Sequence, residues 1–461
     1  MPQIKITATD FYKHHKCPRI VYLDHFGDKK ERLPESEFTQ KLMEDGLLHE
    51  KDVIKDWVYE EIPGVSNAEA FKLTLKAMKD GVELIYQGVL MHEGLVGRPD
   101  LLKREGGKST LGDYHYIPED IKSGKSLKEE YVMQVMLYAE LLEKIQGLLP
   151  EKGFIINADK EELSFTPREH VKQYQDTLKI IKGTVEGAER DPVLISFCRE
   201  CVWQNNCVPK MERERDVSLV YKLNRTHKDQ LKEIGINTID QLAVAKEKDL
   251  IELKRVGLAT AQRWILQAKS LIDKKPVVLV PPKFPKSKVE VYFDIEGETE
   301  LAIDYLYGCF IVEDGKARYV SFWADRPEDE RVMWEAFCRF IAKIKDPVIY
   351  CYSSYEKTSL KRMKDRYGCD DAIWNKLHES LVDLYAVVLK SVILPVTSYS
   401  IKPIAKYLGF SWREKKAGGR QSLFWYAKYL EGDKNLKQLI VDYNEDDTKA
   451  MKVLKDWLGT L

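Results

Sequence analysis

Two carboxylates and a lysine are spaced here as metal-assisted phosphodiester hydrolysis needs them. Gly97-Arg98-Pro99-Asp100 puts a carboxylate behind a Gly/Pro turn, and Asp120-Ile121-Lys122 puts a second carboxylate and an ammonium two positions apart. Side chains alternate between the faces of a strand, so Asp120 and Lys122 project to one side, while Ile121 turns into the core and offers only its carbonyl. Oxygens of this kind hold a hard divalent cation, Mg2+ or Mn2+, which polarises a phosphate; a lysine beside it orients the attacking water or offsets developing charge. Asp100, Asp120 and Lys122 are the expected catalytic residues, with Asp100 and Lys122 facing an open cleft. The expected ligands are Asp100, Asp120, the Ile121 carbonyl and His49, a histidine read as inward-facing from its helical register with Leu42, Gly46 and Val53. Gln134 and Tyr138 stand four apart in an apolar helix, which brings both polar heads to one face as substrate-binding groups. Each piece has an ordinary alternative: Asp-x-Lys at a solvated strand edge, and a satisfied histidine in a core.

An α/β domain is needed to position these groups. Periodicity predicts helices over about 37–61 and 67–80, strands beside Asp100 and Asp120, a helix reaching about residue 146, a strand at Phe154-Ile155-Ile156-Asn157 and a helix over 167–187. Lys103-Arg104-Glu105-Gly106-Gly107-Lys108 is polar and glycine-rich and reads as a hairpin loop. With 461 residues, 44% of them hydrophobic, the chain has enough for two or three domains. Its net charge of −1 excludes a globally basic coat for nucleic acid, so any polyanion must bind at a local patch. No apolar stretch is long enough to span a membrane and the N-terminus does not read as a signal peptide, which predicts a cytoplasmic protein with no membrane partner.

Cys198, Cys201 and Cys207 form a C-x2-C-x5-C triplet, and Cys17 stands far upstream before a proline. Four thiolates so placed would tie the first helix to the end of the domain. Sulfur-only coordination suits zinc or an iron–sulfur cluster, and ligand type does not separate the two. Cys309, Cys338, Cys351 and Cys369 have no ligand spacing and are expected to pack in the last domain.

Taken in order, His49, Gly97-x-x-Asp100, Asp120-x-Lys122 and Gln134-x-x-x-Tyr138 resemble the RecB-like branch of the PD-(D/E)xK nucleases. One remote cysteine with a C-terminal triplet is similar to the iron–sulfur members of that family, including CRISPR-associated exonucleases and AddB-type nuclease domains. The resemblance implies a restriction-endonuclease-like fold over residues 1–215 and a [4Fe-4S] cluster on Cys17, Cys198, Cys201 and Cys207.

From Val208 to Val289 the composition shifts to 18 Lys+Arg against 10 Asp+Glu, the local basic patch that the whole chain lacks. Two helix-turn patterns turn at Gly235 and Gly257, and backbone N–H groups at such turns can grip a phosphate without reading sequence. The pair, over 216–275, resembles a helix-hairpin-helix module, although the usual Gly-x-Gly is here Gly257-Leu258-Ala259. A helical connector between domains is the alternative. Residues 276–288, with Pro281, Pro282 and Pro285, read as a stiff linker.

The last domain, 289–461, opens on a strand carrying Asp294 and Glu296 on one face, continues with strands at Tyr305–Val312, 317–323 and 348–352 and a helix over about 328–345, and ends on a helix carrying Tyr443 and Asp447 one turn apart. This set resembles the DEDDy-type exonucleases of the RNase H-like fold. The resemblance implies that Asp294, Glu296 and Asp447 hold divalent cations and that Tyr443 positions water. That family places a further aspartate where this chain has Tyr352-Ser353-Ser354-Tyr355-Glu356, so Glu356, or in part Asp383, would stand in.

The combined expectation is a metal-dependent exodeoxyribonuclease acting on single-stranded DNA or free ends, with RNA left open as a substrate and a helicase as a candidate partner. The competing class is a nucleic-acid-binding or assembly protein with one or both sites decayed. An iron–sulfur redox protein is weaker, since no flavin or nicotinamide motif accompanies the cysteines.

Overall fold

The described residues include sixteen strands, and these fall into four sheets. The computed structural model describes residues 5–299, 302–415 and 418–461. The chain divides into two units, Met1–Pro192 with Ser196–Val208, and Val193–Ile195 with Pro209–Leu461.

The first unit contains β1 (Ile6–Thr7), β2 (Glu60–Glu61), β3 (Leu84–Tyr86), β4 (Leu90–His92), β5 (Leu95–Gly97), β6 (Leu101–Ser109), β7 (Gly112–Ile121), β8 (Gly153–Ile156) and β9 (Glu162–Phe165). Its main sheet has the order β2-β3-β6-β7-β8-β9, with β7 antiparallel to β6 and parallel to β8; β1, β5 and β4 make a smaller one. The helix Glu129–Gln146 packs against β4, β5, β7 and β8. It is apolar on nearly every side, and a helix of that kind must be enclosed. It stops at Gly147, whose φ of 70° most other residues resist.

Three local expectations change. The helix expected over 37–61 ends at Ile54, and Glu60–Glu61 pairs with β3 instead. Trp57, Val58 and Tyr59 suit extended backbone better than helix, and Pro63 follows closely. Only Val53 and Ile54 of this helix are buried, whereas Leu42 is 49% exposed, so the register that made His49 inward-facing does not mark a core face. Finally, Lys103–Lys108 lies within β6, and the chain turns at Thr110-Leu111. This half of β6 is exposed and so carries loop-like polar residues on both faces.

In the second unit, β11 (Val289–Glu298), β12 (Ile303–Glu313), β13 (Lys316–Trp323), β14 (Val348–Cys351) and β15 (Leu381–Asp383) form a sheet of order β13-β12-β11-β14-β15. The first three are antiparallel, and β14 and β15 continue in parallel. The helix Leu436–Leu458 crosses β11 and β12. Cys309 and Cys351 are buried in this unit, and the sulfurs of Cys338 and Cys369 lie 3.7 Å apart.

The helices Arg225–Glu233, Ile239–Ala243, Glu247–Leu250 and Leu258–Asp273 belong to the same unit. Gln267 on the last of them donates to the carbonyls of Leu394 (2.7 Å) and Val396 (3.2 Å), and Arg263 donates to that of Leu389 (2.7 Å). The proline-containing segment that follows is tacked down at Val277–Val278, which pairs as β10 with β16 (Val392–Ile393). Among the described residues, no helix is long and apolar enough to cross a membrane.

Candidate metal and catalytic centres

In the first unit Asp100 sits between β5 and β6, and Asp120 near the end of β7. Asp100 Oδ2 accepts the backbone N–H of Ile121 (2.7 Å), and Lys122 Nζ lies 2.6 Å from Asp120 Oδ2. Desolvation, and then the Asp120 charge, hold the Asp100 carboxyl well above the usual carboxylate range. Burial works against the Lys122 ammonium, but Asp120 and Asp100 outweigh it and hold its pKa above that of an ordinary lysine. Asp120 is only 2% exposed, while Asp100 and Lys122 are half-buried.

Gln134 and Tyr138 are both buried rather than presented to solvent. The Tyr138 ring lies so close over Gly97 that a Cβ there would come within 2.7 Å of it, which explains the glycine of the turn. Desolvation, Asp120 and Asp100 push the Tyr138 hydroxyl pKa well up. His49 Nε2 is 3.1 Å from the carbonyl of Asn157; a carbonyl only accepts, so Nε2 carries the proton and Nδ1 is the atom left for a ligand. The next residue, Glu50, is the one tied to Asp100: Gln87 Nε2 donates to Glu50 Oε1 (2.6 Å) and to Asp100 Oδ1 (3.1 Å). Gln87 holds a φ of 55°, a conformation that costs energy at a side-chain-bearing residue and that collects at functional sites.

Cys17 ends the first helix and begins the second, and it packs with Ile20, Leu23, Cys201, Cys207 and the fully buried Trp203. Burial pushes the Cys201 thiol up to about 12, and Cys17, Cys198 and Cys207 add to the shift. The Trp203 backbone N–H points at the Cys201 sulfur (3.4 Å), and the indole N–H donates to Asp24 Oδ1 (2.8 Å).

In the second unit Asp294 and Glu296 project from one face of β11, and the register shifts between Glu296 and Gly297. Such a bulge commonly ends regular pairing beside a site. Asp447 reaches the same point from the helix Leu436–Leu458. Among the described residues, Asp294, Glu296 and Asp447 are the one group of three His, Cys, Asp or Glu side chains whose ligand atoms all lie within 4.8 Å of one another. Confinement raises all three carboxyls. Burial and then Asp447 and Glu296 hold Asp294 well up, burial and Asp447 bring Glu296 to about 8, and burial brings Asp447 to about 6 against the hydrogen bond from Tyr443. Glu356 is buried at the start of the helix Tyr355–Tyr367 and is raised to about 8, chiefly by burial; its charge bears on Asp294. Asp383 caps the helix Leu384–Ser391: its Oδ1 accepts the backbone N–H groups of Ser353, Tyr385 and Ala386, so that oxygen is already committed.

The two glycines of the helical segment differ. Gly235 has a φ of 81°, which the turn after Arg225–Glu233 requires, while Gly257 is the N-cap of Leu258–Asp273 and is surrounded by open space.

Residues 291–459 match the RNase_H superfamily. Residues 226–270 match the SAM-like Helix-hairpin-helix tandem. No curated protein matches the chain. The chain is therefore mixed α/β, with several sheets, a helix-hairpin-helix segment and a C-terminal RNase H-like domain, which indicates nuclease-type chemistry and contact with nucleic acid.

In the RNase H-like domain several neighbours of the acids have no motif that would have found them. Trp412 donates its indole N–H to Asp447 Oδ1 (2.6 Å), Asn444 donates to Asp294 Oδ2 (2.7 Å), and Lys402 Nζ stands over the Tyr443 ring, 4.7 Å from its centre. Asn444, adjoining Tyr443, is the one with a signal in the sequence, a polar side chain on the buried face of an amphipathic helix.

Proposed function

We propose that this protein is a divalent-metal-dependent exonuclease acting on single-stranded or free DNA ends. The observation that carries the reading is the convergence of Asp294, Glu296 and Asp447 inside the region that matches the RNase_H superfamily. A Mg2+ or Mn2+ ion held there would polarise the scissile phosphate and lower the pKa of water. Asp294, Glu296 and Asp447 would hold it, with Glu356 as a longer-armed fourth carboxylate, and all must shed the protons that burial favours. The Tyr443 hydroxyl, bonded to Asp447 one turn away, would position the attacking water.

Residues 1–215 are proposed as a RecB-like nuclease domain, with Asp100, Asp120, the Ile121 carbonyl and His49 as ligands and Lys122 at the phosphate. The Gln87 bridge between Glu50 and Asp100 adds Glu50 to that set. Gln134 and Tyr138 would shape the floor rather than the mouth of the site. A [4Fe-4S] cluster on Cys17, Cys198, Cys201 and Cys207 is proposed on the family resemblance: Cys17, Cys201 and Cys207 pack near Trp203 and an N–H is aimed at Cys201, but among the described residues the four sulfurs do not converge as a ligand group. Residues 216–275 would grip the backbone through Gly235 and Gly257, residues 276–288 would link, and residues 289–461 would form the second nuclease domain. A helicase that delivers single strands is the partner this reading expects.

The test is cleavage of 5′- and 3′-labelled single-stranded DNA with Mg2+ or Mn2+. Release from 3′ ends should vanish in Asp294→Ala and survive in Lys122→Ala, and release from 5′ ends should do the reverse. If the Lys122→Ala protein leaves 3′-labelled DNA and RNA intact with either metal, residues 289–461 are a binding domain instead.

A further inference from the structure

Asn444 is completely buried in a helix that supplies Tyr443 on one side of it and Asp447 on the other. Its amide nitrogen donates to Asp294 Oδ2 at 2.7 Å and to the Asp294 backbone carbonyl at 3.4 Å. Its amide oxygen accepts the Tyr319 hydroxyl at 2.8 Å. The two bonds fix the orientation, because an ionised carboxylate only accepts and the phenol has one proton to give. Gly308 is paired across the sheet with Asp294, and a Cβ there would fall 1.6 Å from Asn444 Oδ1. Any side chain at 308 would drive the amide off the Asp294 carboxylate.

We infer that Asn444 is a positioning residue, held by Tyr319 and admitted by Gly308, which turns the Asp294 carboxylate toward the cation that Glu296 and Asp447 would share. The inference rests on the proposed metal-dependent reading of this site. The Asn444 amide acts on a ligand and never touches substrate. Its N–H on Oδ2 offsets the crowding of Asp294 against the neighbouring carboxylates. Partners of this kind set metal affinity more than the rate of the loaded site.

The test is Mn2+ binding by calorimetry on the full chain in an Asp100→Asn background, which silences the first unit, together with metal titration of 3′-end cleavage. Asn444→Leu keeps the volume and removes both donors. It should raise the Mn2+ concentration for half-saturation about 10- to 100-fold, with cleavage at saturating Mn2+ within about threefold of the parent. Gly308→Ala should do the same, and Tyr319→Phe should give a smaller shift in the same direction. Parent-like Mn2+ affinity in a folded Asn444→Leu protein overturns the inference. If Asn444→Leu and Gly308→Ala fail to fold, parent-like affinity in Tyr319→Phe overturns it equally. If Asp294→Asn costs the parent no binding event at all, the metal reading of the site falls, and the inference falls with it.

Discussion

Trp412 hydrogen-bonds Asp447 through its indole N–H, at 2.6 Å, from a segment 35 residues before it in the chain. A neutral donor on Oδ1 favours the ionised carboxylate. Trp412→Phe keeps the ring and removes the donor, and a hydrogen bond to a charged group contributes about 1.5–3 kcal/mol. The acid limb of the pH–rate profile for 3′-end cleavage should therefore move up by about one to two units. An unmoved limb would mean that Asp447 does not control the rate.

The raised carboxyls predict how the metal-free protein responds to pH. Glu296 and Glu356 at about 8 and Asp447 at about 6 stand above ordinary carboxylates, which titrate near 4 in an unfolded chain. The folded state therefore binds more protons than the unfolded one between these values. The stability that follows is complete below the unfolded pKa and is lost as pH rises through 6 to 8. In EDTA the melting temperature should fall from pH 5.5 to 8.5, less steeply in Glu296→Gln, and Mg2+ should protect more at the alkaline end. Equal slopes for the two proteins would place the titration elsewhere.

Lys122 is the counter-charge of a nearly inaccessible Asp120. Removing one partner of a buried pair typically costs roughly 3–5 kcal/mol. Lys122→Ala should unfold earlier in denaturant without metal and recover part of the loss when Mg2+ is added, besides losing the cleavage assigned to the first unit. Unchanged stability in EDTA would assign the lysine to substrate alone.

The cysteines predict composition. Protein purified without oxygen should be brown and contain iron and inorganic sulfide, and Cys201→Ser should lose both. Colourless protein with one zinc per chain would retain the staple and refute the cluster.

At the N-terminus of Leu258–Asp273, Lys254 and Arg255 lie in the exposed turn before Gly257. Replacing both with alanine should weaken single-strand binding and flatten the dependence of log K on log salt by about 1.4, or about 0.7 for each phosphate that is no longer neutralised. An unchanged slope would make this segment a connector.

How much of this was legible in the sequence depends on whether a residue's role repeats with its element. Asp294 and Glu296 share a strand face, and Tyr443 and Asp447 a helix face, so periodicity alone brought each pair together. Trp412 and Lys402 come from outside those elements and meet the site only through tertiary packing. Glu50 escaped notice because His49 beside it is the more conspicuous ligand type, and its tie to Asp100 runs through Gln87, a residue with no metal-binding signature. Composition misread Lys103–Lys108, since a strand that leaves the core is as polar as a loop.

The cluster around Trp203 also bears on the order in which the first unit can be completed during synthesis. Ile20 and Leu23 are made early, yet the indole that covers them, and that bonds Asp24, comes after every strand of both sheets. Until then the second helix keeps an uncovered greasy face, and the strand after Asp100 and the strand bearing Asp120 can pair without it. A ribosome pausing before residue 203 would thus hold a chain whose acidic strands are already paired while its opening helices are still sticky. For that interval the burial of Ile20 and Leu23 waits on the arrival of Trp203.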